Sequence, residues 1–167
     1  MLRTIRNVPI GAMQISDDPN EVLVAYGLGS CIAVCAYDRV ARVGGMLHAL
    51  LPTDASVNGD RPAPAKYVDQ GVPLLLDALL HTGARRHRLI VSLCGGACVI
   101  PAKGFSDILG IGERNILAAQ EALRAAHLRV HAQDTGGDAG RTVKLNMVNG
   151  QVTVKTLARG ERVLIAK

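Results

Sequence analysis

The sequence predicts an α+β fold in which strands outnumber helices. Several short β-prone segments surround two longer segments whose apolar residues recur at helical spacing. The chain ends in antiparallel structure, because the alternating apolar residues Val143, Leu145 and Met147 lead into Asn149-Gly150. That pair predicts a type I′ hairpin turn, which needs positive φ at both central residues. An antiparallel ending favours α+β over a doubly wound parallel sheet.

The first half of the chain is predicted to form three strands around a glycine-rich turn. Glu21 to Ala25 is β-prone, and Gly27-Leu28-Gly29-Ser30 forms the turn. Cys31 to Tyr37 and Val43 to Leu51 follow as strands on either side of the Asp38 to Arg42 connection. We expect these two strands to pair as antiparallel neighbours.

Two amphipathic helices are predicted further along the chain. Between Lys66 and Leu80 apolar residues recur at helical spacing, Gly83 is a stop signal, and Pro73 indicates a kink or a later start. The second helix is predicted from about Glu113 to His127. Its single apolar face consists of Ile116, Ala119, Leu123 and Ala126.

The remaining segments complete one predicted domain. Leu89 to Leu93 is a compact apolar strand that leads into Gly95-Gly96, and Thr53 to Pro64 has the composition of a loop. We find no repeat or long linker in the 167 residues. The prediction is therefore a single domain over residues 1–167.

The composition disfavours ligands that need aromatic platforms. Aromatic residues make up 2% of the chain and Trp is absent, which argues against base stacking on single-stranded nucleic acid. The net charge is +5, but Arg85, Arg86 and Arg88 form the only dense basic cluster. This charge fits an acidic protein partner as well as nucleic acid, and we predict no dedicated nucleic-acid site.

The distribution of apolar residues predicts a cytoplasmic protein. The first residues lack the apolar segment and small-residue cleavage site of a signal peptide. The longest uncharged run, Val22 to Tyr37, is too short and too rich in glycine to span a bilayer. We expect no membrane insertion, and we expect the four cysteines to be free thiols.

Three nucleotide and hydrolase motifs are incomplete. Residues 110–115 begin like a dinucleotide-binding loop, but Asn115 stands where its third glycine belongs and Glu113 is acidic. A P-loop sequence is absent, and Gly29-Ser30-Cys31 does not complete a nucleophile elbow. Nucleotide hydrolysis therefore lacks its usual residues.

The cysteines allow a zinc site, but burial is the preferred interpretation. Cys31 and Cys35, like Cys94 and Cys98, are separated by three residues, a spacing that structural zinc accepts. Cys35 lies among small apolar residues and Cys98 is flanked by Ala97 and Val99, where thiols commonly pack as small hydrophobes. Metal analysis of the purified protein would reveal the zinc alternative.

Cys31 and His48 form the strongest candidate for a catalytic pair. Cys31 directly follows the glycine-rich turn, which can direct consecutive backbone N–H groups into one small space. His48 lies in an apolar segment where an imidazole is unusual unless it is used or hydrogen-bonded. Antiparallel pairing would bring the start of one strand beside the end of the other, so the two side chains could meet. The other histidines, His81, His87, His127 and His131, fit surface positions.

Five segments, in order, resemble the chemoreceptor glutamine deamidases of bacterial chemotaxis, the CheD family. They are residues 27–35, the segment around His48 ending in Leu51-Pro52, Gly95-Gly96-Ala97, residues 111–115 and residues 134–137. Cys31 and His48 stand at the family spacing of 17 residues, and the resemblance extends from about residue 5 to residue 157. It implies a β-sandwich of mixed sheets with helices packed on the outside, similar to bacterial toxins that deamidate glutamine.

The resemblance also implies roles for individual residues. Cys31 matches the family nucleophile and His48 its general acid/base, with no metal or organic cofactor. Backbone N–H groups of the turn at Gly29 and Ser30, most plausibly those of Ser30 and Cys31, would hold the oxyanion. The family acts on glutamines of methyl-accepting chemotaxis receptors and associates with a CheC-type phosphatase of the response regulator.

One position departs from the family pattern. Six residues before Cys31 the family has a Thr that orients the histidine, and this chain has Ala25. A backbone carbonyl, a water or the Tyr26 hydroxyl could substitute, although neighbouring strand residues point to opposite faces, which disfavours Tyr26. Two hypotheses follow: a working deamidase, or a binding partner of receptors or phosphatase with little catalysis.

Overall fold

The computed structural model describes residues 2–54, 63–99 and 110–165. Most of the predicted Thr53 to Pro64 loop lies outside these ranges. The strands are β1 (Thr4–Asn7), β2 (Ala12–Ser16), β3 (Glu21–Leu28), β4 (Ile32–Asp38), β5 (Val43–Ala49), β6 (Leu89–Gly95), β7 (Ala132–Thr135), β8 (Arg141–Asn146), β9 (Gln151–Thr156) and β10 (Gly160–Ile165). The helices are α1 (Val68–His81) and α2 (Ile111–Ala125), and short 3₁₀ turns cover Pro64–Lys66 and Arg86–Arg88.

The strands form two mixed five-stranded sheets. The first sheet has the order β1-β3-β8-β9-β10 and the second sheet β2-β5-β4-β6-β7. The β1–β3 and β6–β7 pairs are parallel, and the other pairs are antiparallel. The predicted α+β class, with predominant sheets and helices packed outside, is confirmed.

Strand β4 lies at the centre of the second sheet and is buried on both faces. Ala33, Cys35 and Tyr37 face an apolar layer shared with the first sheet, which we call the inter-sheet core. Ile32 and Val34 pack on the other side with residues of α1 and α2. Because successive strand residues point to opposite faces, a strand between two apolar layers needs a continuous apolar run. Residues 32–37 supply that run.

Both predicted helices are present with shifted ends. Helix α1 begins at Val68, contains Pro73 in its second turn and ends just before Gly83, which has a φ of 107°. Helix α2 begins two residues before Glu113 and ends two before His127. The predicted apolar face of α2 is confirmed, with Ala119 and Leu123 buried and Ile116 and Ala126 packed against the same layer.

The predicted hairpin between β8 and β9 is confirmed, but the predicted type I′ turn is wrong. Asn146 pairs with Gln151, so the loop has four residues, 147–150. Gly150 has a φ of 73°, whereas Asn149 does not have a positive φ. The loop is closed by the Gly150 N–H, which donates to the Asn146 carbonyl at 2.8 Å, and the Met147 side chain within it is buried.

The basic cluster found in the sequence has a structural role. Arg88 forms an ion pair with the fully buried carboxylate of Asp38, at 2.8 Å. Arg86 donates to the Ala126 carbonyl at 2.8 Å. Burial acts to raise the pKa of Asp38, but hydrogen bonds from the Arg85 backbone and its other partners lower it below the ordinary value. Two of the three arginine side chains therefore anchor the fold.

Among the described residues, neither helix is long and apolar enough to cross a membrane.

Candidate active site

Cys31 lies at the junction between the glycine-rich turn and β4. It is 5% exposed, and its carbonyl accepts a hydrogen bond from the Gly96 N–H at 2.7 Å. The Gly29 carbonyl accepts one from the Ala97 N–H at 2.8 Å. A Cβ on Gly95, which has a φ of 109°, would lie 2.2 Å from the Cys31 carbonyl oxygen. Only glycine therefore lets the end of β6 approach the nucleophile position this closely.

The glycine-rich turn before Cys31 starts later than predicted. Strand β3 continues past Ala25 to Leu28, with an irregular register against β8 between these two residues. Gly27 therefore lies within an irregular end of the strand, with a φ of 64°. The chain then turns at Gly29 and Ser30 before Cys31.

The predicted antiparallel pairing of β4 and β5 is confirmed, and it places His48 next to the Cys31 end. His48 pairs with Ala33, two residues after Cys31. The Gly96 N–H bond to the Cys31 carbonyl continues the β4–β6 pairing by one residue, so Cys31 and Ala33 are expected on the same face of the second sheet. Cys31 and His48 are thus diagonal neighbours across two paired strands.

His48 is held by a backbone carbonyl from the segment between β1 and β2. It is 1% exposed, and its Nδ1 lies 2.9 Å from the Val8 carbonyl oxygen. That carbonyl can only accept, so Nδ1 carries the proton and Nε2 has the free lone pair. The Val8 N–H donates to the Val24 carbonyl at 2.8 Å, and the Gly11 N–H donates to the His48 carbonyl at 2.7 Å. Hydrogen bonds on both sides therefore tie His48 to the β1–β2 connection.

The two groups of the pair are both neutral near pH 7. Burial lowers the pKa of His48, and the Val8 hydrogen bond opposes this only in part. Burial raises the pKa of the Cys31 thiol, with a smaller opposing effect from its own backbone. His48 Nε2 is buried and makes no hydrogen bond to any residue in the described ranges. Such an arrangement suits a base that takes the thiol proton during attack, when catalytic hydrogen bonds tighten.

Ala25, the residue at the family Thr position, lies in β3. It is fully buried in the inter-sheet core, whereas Tyr26 is 53% exposed, as strand alternation predicts. Of the proposed substitutes for the family Thr, the structure contains a backbone carbonyl, that of Val8. Sequence reasoning could not identify Val8, because every residue has a carbonyl and only the fold determines which one reaches the imidazole.

If the chain has the activity that its resemblance implies, we expect Ala25→Thr to leave the rate within about threefold of the original protein. The reason is that the Val8 carbonyl already fixes the His48 tautomer, so a hydroxyl at position 25 has little left to orient. Steady-state kinetics on both proteins would measure this. Ala25→Ser, which adds a hydroxyl without the extra methyl, separates any loss caused by overpacking. A rate increase of tenfold or more would show that Val8 does not orient His48.

The other cysteines do not form a metal cluster in the described part of the chain. Cys35 and Cys94 are buried in the inter-sheet core, as predicted for structural thiols, and burial raises the pKa of Cys35 to about 12. Cys98 is exposed, so its predicted burial is wrong. The cause is that its segment continues beyond β6 onto the surface, where the Cys98 N–H donates to the Gly137 carbonyl. Among the described residues, no group of three or more potential ligands is close enough to hold a metal.

A cavity of about 660 Å³ opens over the turn before Cys31. Gly29 and Ser30 form part of its wall, while Cys31 and His48 lie outside its lining. The other described lining residues are small or apolar except for Glu113, and they are Gly27, Gly96, Ala97, Cys98, Val99, Gly110, Ile111, Gly112, Ile116, Gly136, Gly137 and Gly140. A wall of glycines exposes backbone to a bound side chain, and no aromatic residue is among the described lining residues. The four remaining histidines, His81, His87, His127 and His131, are all exposed, as predicted.

The fold places a cysteine after a glycine-rich turn and beside a buried histidine whose Nε2 has no described partner. Cysteine-dependent acyl-transfer enzymes as a class also pair a cysteine with a histidine. Comparison with known proteins identifies the family. Residues 50–156 match the family model described as CheD chemotactic sensory transduction, and the chain belongs to the CheD family.

Curated relatives cover the region before residue 50 as well. The chain is 41% identical, over 97% of its length and 98% of the relative, to a probable chemoreceptor glutamine deamidase CheD of Symbiobacterium thermophilum. It is 43% identical to the protein of that name from Pyrococcus abyssi, over 93% of this chain and 95% of the relative. The Pyrococcus horikoshii protein is 44% identical over 85% of this chain and 86% of the relative.

Proposed function

We propose that this protein is a glutamine deamidase that converts glutamine side chains of methyl-accepting chemoreceptors to glutamate. The observation that carries the proposal is His48, buried beside the Cys31 end of β4 with Nδ1 held by Val8 and Nε2 free. The relatives named as probable chemoreceptor glutamine deamidases support the same substrate class. The activity is that of a protein-glutamine glutaminase working in the cytoplasm, without a cofactor.

The proposed chemistry is a two-step acyl transfer. His48 Nε2 takes the thiol proton as the Cys31 sulfur attacks the carboxamide carbon of glutamine. The tetrahedral intermediate collapses with cleavage of the C–N bond, and the imidazolium gives its proton to the departing ammonia. His48 then takes a proton from water, which attacks the thioester and releases glutamate and the free thiol.

The turn supplies the proposed oxyanion donors. The N–H groups of Ser30 and Cys31 follow Gly29 along the chain; Ser30 lines the cavity, and Cys31 is the next residue, outside the lining. Within the described ranges neither of them donates to a backbone carbonyl, and the Cys31 N–H interacts with the Cys31 thiol itself. Both can therefore turn to a negative charge that develops at this thiol. Such donors contribute most when they are fixed before the reaction begins.

The substrate and partners follow from the family and the charge. A net charge of +5 complements glutamate-rich helices, which fits receptor segments that carry several carboxylates. A CheC-type phosphatase is the proposed protein partner. Ala25 favours a second candidate function, in which the chain binds receptor or phosphatase with little catalysis.

Incubation with a receptor cytoplasmic fragment, followed by peptide mass spectrometry, tests the function. We expect particular glutamines to become glutamate in proportion to time and enzyme concentration, with release of an equal amount of ammonia. Fragment incubated without the protein serves as control for spontaneous deamidation. A fragment that binds the protein but shows no conversion above that control would favour the binding-partner function and contradict the deamidase.

A further inference from the structure

Asn115 connects the strand that carries His48 to the turn that carries Cys31. It lies in the second turn of α2 and is fully buried. Its Nδ2 donates to the Ser30 carbonyl at 2.8 Å and to the Leu50 carbonyl at 3.0 Å. Both partners can only accept, so the side-chain NH₂ group must face them and the orientation of the amide is unambiguous.

The first of these bonds acts on the peptide group between Ser30 and Cys31. A trans peptide is planar, and its C=O and N–H point in opposite directions. Holding the Ser30 carbonyl towards Asn115 therefore fixes the Cys31 N–H on the opposite side. That N–H is one of the proposed oxyanion donors.

The second bond acts on the end of β5. Leu50 follows the last residue of β5 and lies two residues after His48. A single side chain thus ties the peptide before Cys31 to the backbone just beyond His48. Together with the pairing of Ile32 with Ala49, this side chain fixes the backbone on both sides of the Cys31–His48 pair.

Helix α2 is itself fixed to the same region. A Cβ on Gly112 would lie 2.6 Å from the Gly96 carbonyl oxygen and 2.9 Å from that of Ala97. The Gly96 N–H in turn donates to the Cys31 carbonyl at 2.7 Å. The helix start therefore rests directly on the backbone beside Cys31, and Asn115 is presented from a rigid element.

We propose that Asn115 is a positioning residue of the active site, which sets the orientation of the Cys31 N–H and the spacing of Cys31 and His48. The proposal rests on the deamidase function and adds a residue to its machinery. A role in folding alone fits poorly, because Asn115 Oδ1 is buried without a hydrogen-bond partner among the described residues. An unpaired buried carbonyl destabilises a fold, so an apolar residue of the same volume would serve packing better.

Asn115→Leu tests this, because leucine keeps the branched shape of asparagine, with a somewhat larger volume, and removes both hydrogen bonds. We expect kcat to fall about 10²-fold with KM changed less than about threefold, as for a small misplacement of reacting groups. Leu123→Ala, a core substitution two turns further along α2, is the matched control for general destabilisation. Assays at a temperature where both variants are folded by circular dichroism should show kcat near the original value for Leu123→Ala. Asn115→Ala replaces Asn115→Leu if the latter does not fold.

The second readout does not depend on deamidation. Peptide mapping after iodoacetamide treatment gives the alkylation rate of Cys31 as a function of pH. We expect Asn115→Leu to slow Cys31 alkylation at pH 7 by at least about tenfold, because the displaced imidazole no longer takes the thiol proton, while Leu123→Ala leaves it unchanged. An alkylation profile identical to that of the original protein would overturn the positioning role, whether or not the receptor fragment is a substrate. If the deamidase function is wrong and the positioning role is right, the original protein will not convert receptor glutamines. The Cys31 alkylation rates of the original protein and of Asn115→Leu will still differ.

Discussion

Cys31→Ala should reduce conversion of receptor glutamines by at least about 10⁴-fold, because the variant has no group that can form the thioester. Receptor binding should persist, since Cys31 is 5% exposed and offers little contact surface. Peptide mass spectrometry of a treated receptor fragment measures the loss, and sedimentation or pull-down of the fragment measures the binding.

The matched control for this prediction is Cys98→Ala. Cys98 is exposed and lines the cavity over the turn, so it is the thiol that general reagents reach most easily. We expect this variant to lose far less conversion than Cys31→Ala, because the Cys98 thiol takes no part in the proposed chemistry, even though Cys98 lines the cavity. Equal conversion by Cys31→Ala and the original protein would remove Cys31 from the mechanism.

His48→Ala should lower kcat by about 10³-fold with little change in KM, which is typical for loss of a general base. In the original protein kcat/KM should fall only below about pH 6.5, since burial lowers the pKa of His48 from its ordinary value. As the pH drops through that pKa, Nε2 becomes protonated and can no longer accept the thiol proton. The acidic decline should disappear from the residual activity of His48→Ala.

His87→Ala is the corresponding control, because His87 is exposed in the Arg86–Arg88 turn and away from the pair. It should retain both the rate and the pH profile. A His48→Ala variant with the original pH profile would show that another group is the base.

The central part of the fold was predictable because its residues follow simple patterns. The apolar residues of β4 and of one face of α2 are buried, so their spacing in the sequence predicts both elements. The hairpin around Asn149-Gly150 follows from the alternating apolar residues that precede these turn residues. The peripheral strands β1, β2 and β7 were not predicted. Strand β1 is exposed at all four residues and β7 has one apolar residue, so neither shows the alternation that identifies a strand.

For the candidate site, the sequence predicts the Cys31 and His48 side chains but not the groups that hold them in place. The spacing of Cys31 and His48 across a short connection allowed their strands to be paired, and the β4–β5 register agrees. The group that orients His48 is a carbonyl from Val8, in a segment where no strand was predicted. Asn115 belongs to a segment that stood out in the sequence, residues 110–115. Its two hydrogen bonds reach residues 65 and 85 positions away, and no local sequence pattern reveals such contacts.

Aromatic residues are scarce in the sequence, and the described residues that line the cavity include none of them. The cavity over the turn is lined mainly by glycine backbone, and Tyr37 is buried elsewhere with its hydroxyl donating to the Met147 carbonyl at 2.9 Å. Such a wall leaves backbone groups accessible, which fits the proposed binding of a glutamine amide through hydrogen bonds. None of the described residues that line the cavity is aromatic, so none of them offers a surface on which a base or a sugar could stack.

The most direct test of the account is to map where a chloroketone analogue of glutamine reacts. The thiol that attacks the analogue displaces chloride and forms a stable thioether, which peptide mass spectrometry locates. We predict a thioether on Cys31, although Cys31 is buried and Cys98 is exposed. We also predict that an excess of receptor fragment protects Cys31 from the analogue. Modification of Cys98 with Cys31 left intact would contradict the assignment of Cys31 as the nucleophile.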